Sequence, residues 1–520
     1  MIDILEKLEE AAARVPDRVM FHSRQGEITY GELWEKSGRF ADQIERMLGD
    51  YRGPVIVYGH KDPLMLVSFF ALARSGRAYC PVDRTMSVRR IEAICKLVES
   101  PLVLATEPIP VTLDGARILD KEEILKACEG QSVIAPEKRV RGKDLFYIIY
   151  TSGSSGTPKG VKIETGALDS YLDWAIDFGG EEQVPDGSVF INQSSFSFDF
   201  SIMDCYSGFI NAATMWATDR ELQRDVDALV QYLIDGKLNY WLSTPSLVEK
   251  CFGSELFRGE NFPDLKLFQF CGEILAKKTV AETMRRFPGV RIINAYGPTE
   301  GTVAVTAAPV TREMMDAPES LPVGYAKPGV EMKILDFDAE GADQHPEQHF
   351  LGPGKVGEMI ITGDSVCPGY YKNEEKTKEC FFEYQENGRT VRAYHTGDTG
   401  YLDKEGMLYY VSRVDKQLKY HGFRIEPGDI ESSIMKLDGL SRAVVVPKLD
   451  EGRVRYLAAF VTMDQPVEKS EEAAKSEEIR EALREFLPGY MIPKKIIFVK
   501  KFPLNQNDKV DRKKLEQELD

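Results

Sequence analysis

The stretch Tyr150-Thr-Ser-Gly-Ser-Ser-Gly-Thr-Pro-Lys159-Gly160 holds three glycines and five hydroxyl residues between two β-type runs, Leu145-Phe-Tyr-Ile-Ile-Tyr150 and Val161-Lys-Ile163. Backbone N–H groups in such a loop can turn inward around an anion, and Lys159 adds one compact positive charge at the rim. It is not a Walker A loop, because the lysine precedes Gly160 and a strand follows instead of a helix. Taken alone, the loop reads as a phosphate cradle or as a plain Gly/Ser-rich hairpin.

Four further groups of residues have types that could do chemistry. Asn294-Ala-Tyr-Gly-Pro-Thr-Glu300 follows a strand, and a turn there can set a ring (Tyr296), a hydroxyl (Thr299) and a carboxylate (Glu300) around one ligand; it can equally be a polar turn. Tyr394-His-Thr-Gly-Asp398-Thr-Gly sets a carboxylate between glycines, suited to accept both hydroxyls of a ribose or to close a turn of a meander. Arg413-Val-Asp415 is a hinge or a solvated charge pair, and Lys509, in Asn505-Gln-Asn-Asp-Lys509, is by default a charge on a tail. In Phe196-Ser-Phe-Asp199-Phe-Ser-Ile-Met203, Asp199 either faces a ligand or caps a helix starting near Ser201. Cys271 is by default a buried core thiol.

These residues need a scaffold, and the pattern of elements supplies one. Helical spacing over 33–48 and 64–74 alternates with strands at 55–58 and 102–105. After the glycine-rich loop come strands at 189–191, 240–242, 267–270 and 290–293, with a helix at 275–287. Such alternation predicts an α/β class with largely parallel sheets flanked by helices. Over 322–412 Gly and Pro become frequent and strands shorten, as in a compact antiparallel or barrel-like β-rich subdomain, and 336–354 reads as an exposed loop. Beyond Arg413 the texture becomes α+β, with a helix over 430–437, strands at 443–446 and 456–461, a polar surface stretch over 467–478 and a helix over 477–486. The expected division is 1–413 as a large N-terminal domain and 414–520 as a small C-terminal one.

Composition excludes several classes. Net charge is −17, which argues against general affinity for nucleic acid or anionic membranes, so a polyanionic ligand needs a locally positive pocket. The eight cysteines are scattered with no CxxC pair, as expected for reduced, mostly buried thiols. The acidic amphipathic start is no signal peptide, and no apolar run approaches the ~20 residues that span a bilayer. The expectation is a soluble cytoplasmic protein without membrane insertion.

Taken together and in order, these runs closely resemble the adenylate-forming superfamily of acyl-CoA synthetases, firefly-type luciferases and peptide-synthetase adenylation domains. Ile28-Thr-Tyr-Gly-Glu-Leu33, Leu72 to Asp83, Gly357-Glu358 with Gly369-Tyr-Tyr371, and Leu487-Pro-Gly-Tyr-Met-Ile-Pro493 extend the resemblance over nearly the whole chain. Departures are mild: Ser155 for Thr, His395 for Arg, Ser412 for Gly, Asp508 for Gly. The resemblance implies ATP- and Mg2+-dependent activation of a carboxylate and a mobile C-terminal domain. It implies that Thr151, Ser152, Gly153, Ser154, Ser155 and Gly156, with Lys159, hold the phosphates. Asn294, Ala295, Tyr296, Gly297, Pro298 and Thr299 would surround the nucleotide, with Tyr296 stacking on adenine. Glu300 would bind Mg2+, Asp398 and Arg413 would hold the ribose, and Lys509 would stabilise charge between the incoming carboxylate and the α-phosphate. In a second half-reaction a thiol would displace AMP after rotation about Asp415 brings a channel near Gly422 into place.

Within the superfamily, amino-acid-activating members carry an Asp at the place of Asp199, where it pairs with the substrate ammonium. Met203, Cys271 and Val303 would then wall a pocket for a very small side chain. Together with Val57-Tyr-Gly-His-Lys61 and Leu321-Pro-Val-Gly-Tyr-Ala-Lys327, this resembles the branch that loads D-alanine onto a small acidic phosphopantetheinylated carrier protein for lipoteichoic acid. Lys494, Lys495, Lys500 and Lys501 could meet such a carrier, or form a solvated face. The competing expectations are an adenylating enzyme for another amino acid, an acyl-CoA synthetase, and a non-catalytic nucleotide-binding scaffold.

Overall fold

The computed structural model describes residues 2–131, 133–151, 158–342, 344–413, 418–450, 452–463, 465, 467–503 and 510–519, with the Arg424 side chain outside that set. Ser152, Gly153, Ser154, Ser155, Gly156, Asp415 and Lys509 lie outside the described residues. Among the described residues, two large sheets carry the first three hundred positions. One has nine strands, in the order Tyr325–Ala326, Thr306–Pro309, Arg291–Tyr296, Leu267–Phe270, Tyr240–Ser243, Val189–Asn192, Thr214–Ala217, Val19–Ser23, Gly26–Thr29. Its central strands are parallel and its edges antiparallel. The other has six, in the order Arg117–Leu119, Leu102–Ala105, Val55–Gly59, Tyr79–Asp83, Leu145–Thr151, Lys159–Glu164.

The predicted strands and helices of this region are present with ends shifted by a few residues, as frayed termini dictate. The helix expected over 64–74 is Pro63–Arg74, every residue of it buried. That is the behaviour of a helix apolar all round. It packs on the helix Tyr30–Leu48 between the two sheets. Phe190, Met215 and Tyr240 of one sheet and Val57, Phe146 and Ile149 of the other share its core. A leucine- or phenylalanine-sized side chain buried there contributes ~1.5–3 kcal/mol, so this shared core makes the two sheets one rigid frame.

The antiparallel sheet takes up at Val330–Leu335 and continues through Gly357–Gly363, Arg389–Leu402 and Phe381–Glu386, with Leu408–Arg413 on Arg389–Leu402. Beyond it, the hairpin Leu418–Tyr420/Phe423–Ile425 leads to a three-stranded sheet of Leu440–Asp450, Arg453–Met463 and Lys495–Phe498. The helix expected at 430–437 is Pro427–Ile434, set early because Pro427 opens its first turn. Glu472–Leu483 turns the second half of the polar stretch into helix. Strand alternation splits this unit: Ala443, Val445, Leu457 and Ala459 face one core with Phe423 and Tyr490, while Val444, Val446, Ala458 and Phe460 face another with Phe502, Val510 and Leu515. Seven of the eight cysteines are buried free thiols and Cys380 is half-buried. No described helix is long and apolar enough to cross a membrane.

Candidate active site

Parallel strands deliver their C-terminal ends to one edge of a sheet, and ligands gather there. In the nine-stranded sheet four neighbouring ends bring up Gln193-Ser194-Ser195, Thr244, Cys271-Gly272 and Gly297-Pro298-Thr299. These residues line a cavity of 790 Å³. Asp398 and Arg413 join from the antiparallel sheet, and Lys419, His421, Gly422 and Phe423 from the hairpin of the C-terminal unit. The volume is that of a site for a small molecule with a few placed polar groups.

Asp199 lies in this wall and is not a helix cap: the chain after it forms a π-helical turn, Ile202–Tyr206, whose N-cap, Ser201, makes no side-chain cap. Burial, and next Glu300, push the Asp199 carboxyl up to about 6, while a hydrogen bond with Thr299 and the Lys419 ammonium hold it down. Met203, Cys271 and Val303, each at most 3% exposed, wall the cavity with it. Burial pushes the Cys271 thiol up to about 12, so it presents a small neutral surface and no thiolate. Val303 reaches this wall because the chain doubles back after Tyr296: Val305 N donates to Tyr296 O at 2.8 Å and Thr302 Oγ1 to Ser365 O at 2.8 Å. A Cβ on Gly297 would lie 2.5 Å from Ala304 Cα, so only glycine permits that fold-back.

Tyr296, Asp398 and Arg413 form one hydrogen-bonded unit. The Tyr296 hydroxyl donates to Asp398 Oδ2 at 2.6 Å, and Arg413 Nη1 donates to Asp398 Oδ1 at 2.6 Å. Glu358 braces the turn from behind, accepting from Gly397 N at 2.9 Å and pairing with His395 Nδ1 at 3.0 Å. Burial and then Asp398 hold the Tyr296 phenol well above its ordinary range, so it remains a neutral donor. Lys419 Nζ lies 5.1 Å from the centre of its ring.

Glu300, Lys159 and Thr151 stand beside the cavity, not in its lining. Glu300 is fully buried and accepts from the Tyr370 hydroxyl at 2.8 Å; Lys159 Nζ is 5.7 Å from the Tyr370 ring and 3.8 Å from Glu426 of the C-terminal unit. The Thr151 hydroxyl, where the glycine-rich loop departs, is buried without a hydrogen-bond partner among the described residues. Asn294 and Ala295 lie in the strand behind, and Asn294 Nδ2 donates to Pro322 O at 2.8 Å.

Sequence reasoning missed the contacts that close the cavity from the C-terminal side. Gly422 N donates to Glu273 Oε1 at 2.8 Å, and Phe423 stacks on Tyr490 (centroids 3.6 Å apart) and meets Phe198 edge to face. Lys419 arrives on the same hairpin. Partners 67 to 225 positions apart leave no spacing to read; only the positive φ of Gly422 (+78°) is announced by a residue type.

Fold and site together define a nucleotide-binding enzyme class. Residues 8–371 match the AMP-binding enzyme family and residues 429–509 the AMP-binding enzyme C-terminal domain, and the chain belongs to this family. Among curated relatives, the D-alanine–D-alanyl carrier protein ligase of Listeria innocua is 39% identical and that of Bacillus licheniformis 38%, each over 99% of both chains. The adenylation domain AlmE of Vibrio cholerae, solved in complex with glycyl-adenosine-5'-phosphate, shares the fold. Its TM-score is 0.82 at 21% identity, over 99% of this chain and 97% of that one. PA1221, containing adenylation and PCP domains, gives 0.82 at 22% identity over 99% and 84%.

Proposed function

We propose that the protein activates D-alanine with ATP and transfers it to the phosphopantetheine thiol of a D-alanyl carrier protein, for D-alanylation of lipoteichoic acid on the cytoplasmic side of the cell wall pathway. The observation that carries this reading is Asp199. It is a carboxylate facing the cavity, with the buried Met203, Cys271 and Val303 in the same wall to border the small side chain of the amino acid whose ammonium it would bind. The full-length identity to the curated ligases supports the same substrate and carrier.

In the first step a carboxylate oxygen of D-alanine attacks the α-phosphorus of ATP, forming the mixed anhydride as the bond to pyrophosphate breaks. Both reactants are anions, so positioning and charge stabilisation dominate. Asp398 accepts from the ribose hydroxyls with lone pairs left by Tyr296 and Arg413, the Tyr296 ring supports the adenine, and Lys159 with the loop at 151–156 holds the outer phosphates. Glu300 would hold Mg2+, which would supply positive charge to offset the phosphates; the Thr151 hydroxyl beside the loop, without a partner among the described residues, is a further oxygen donor of the right kind. Lys509 neutralises charge building between carboxylate and α-phosphate. In the second step the thiol sulfur attacks the acyl carbonyl, its proton passes to solvent, and AMP leaves. The proposed division at 413/414 makes Asp415 the hinge between the two arrangements. Lys494 and Lys495, whose ammonium groups lie 5.7 and 5.0 Å from the Tyr456 ring, offer positive charge to an acidic carrier, as do Lys500 and Lys501.

ATP–pyrophosphate exchange across the amino acids, including both alanine enantiomers, tests the proposal. D-alanine is expected to be the best substrate. Preference for another amino acid, for an unaminated acid with coenzyme A, or exchange with none, would overturn it.

Gly422 separates the two steps. An added Cβ would lie 2.6 Å from Thr244 Cγ2 at a φ of +78°, combining a clash with left-handed strain of ~1–2 kcal/mol. Gly422→Ala is therefore expected to slow thioester formation at least ~10-fold while exchange stays near the unmodified rate, both measured on one preparation.

A further inference from the structure

We infer that Arg453 is a latch that holds the C-terminal unit in the orientation in which Gly422 lines the cavity, and so is a positioning residue for acyl transfer to the thiol but not for adenylation. The inference rests on the two-step reading above. Arg453 opens the strand Arg453–Met463 of the C-terminal sheet, and its guanidinium crosses to the N-terminal region. One arm is ion-paired with Glu249; the other is 3.4 Å from both Ser246 Oγ and Glu273 Oε2. Glu273 in turn accepts from Ser246 N at 3.0 Å and from Gly422 N at 2.8 Å. The carboxylate that fixes the Gly422 backbone is thus itself fixed by Arg453.

Burial decides which cross-contact matters. The Arg453 and Glu273 side chains are 13% and 6% exposed, whereas Lys278 and Asp450, a second bridge between the same regions, are about half exposed. Exposed pairs contribute little, but removing one partner of a buried pair leaves the other charge uncompensated. Arg453 also acts on one orientation only. The residues flanking 504–509, Phe502 and Val510, pack on the sheet face opposite the one carrying Phe423 and Tyr490. Those two opposite faces cannot both meet the cavity at once, and a contact made in one orientation shifts the balance toward it.

The test uses the full-length protein with pantetheine as the thiol, comparing wild type with Arg453→Gln and Arg453→Lys. Arg453→Gln is expected to keep pyrophosphate exchange within ~2-fold and to lower D-alanyl-pantetheine formation ~30-fold. Arg453→Lys keeps the charge but loses the two-armed fork, and should fall between, in transfer alone. Substrate-free cross-linking of a Lys278→Cys/Asp450→Cys pair by a short bismaleimide should drop when Arg453→Gln is added. Wild-type transfer rates in both variants, equal loss of both steps, or an unchanged cross-link yield would overturn the latch. Failure of wild type to exchange with any acid would instead overturn the two-step reading, with the cross-link still deciding the latch.

Discussion

Asp199→Asn is expected to raise KM for D-alanine about 150-fold in pyrophosphate exchange. Truncating one partner of a buried, hydrogen-bonded charge pair costs ~3 kcal/mol, and that is the factor it corresponds to. Asparagine is nearly isosteric and can still accept from Thr299, so the cavity keeps its shape and only the charge is lost. Adenylation of propionate, which has no ammonium, should change little or improve. The carboxyl at about 6 in the free enzyme adds a signature. D-alanine needs the ionised form, so kcat/KM should fall as pH drops below ~6, tenfold per unit at the limit, and this acid limb should vanish in the variant. A loss under tenfold with the pH limb intact would remove Asp199 from the site.

Lys509→Ala should slow adenylation at least ~100-fold, about 2.7 kcal/mol of barrier. An ammonium is a compact charge on a flexible stem, suited to a place where two anions converge. Because the flanking residues Phe502 and Val510 pack on the far face of the C-terminal sheet from Gly422, the lysine would act only after rotation of the unit. The second step should therefore be spared. Supplied with preformed D-alanyl-AMP, the variant should load pantetheine within about threefold of wild type, since that step draws on the Gly422 arrangement. Near-normal exchange in the variant would refute the role.

Under the proposed mechanism each of the two steps thus has its own residues, and the two faces of the C-terminal sheet give a physical reason for keeping them apart. Gly422, Glu273 and Arg453 form one contiguous set, while Phe502 and Val510 pack on the opposite face of the C-terminal sheet. A rigid unit with one function on each face alternates by turning, with no need to unfold either core.

Much of the site was legible in the residues themselves. Cys271, Thr299 and Asp398 were singled out from their settings after strands or beside glycines, and Asp199 from the family resemblance; all four line one cavity. Strand ends, turn glycines and buried apolar runs are local properties, set by backbone sterics and by side-chain periodicity within a few residues. That is why the α/β layering and its element order follow from sequence alone. Pairings across the fold do not obey such rules. Tyr296 with Asp398, Tyr370 with Glu300, and Arg453 with Glu249 join positions 70 to 204 apart. Each depends on how separate sheets dock, a matter of shape and buried charge summed over many contacts. Residue type and spacing determined which groups could take part in the chemistry; only tertiary packing decided which of them touch, and which face of the C-terminal unit meets the cavity.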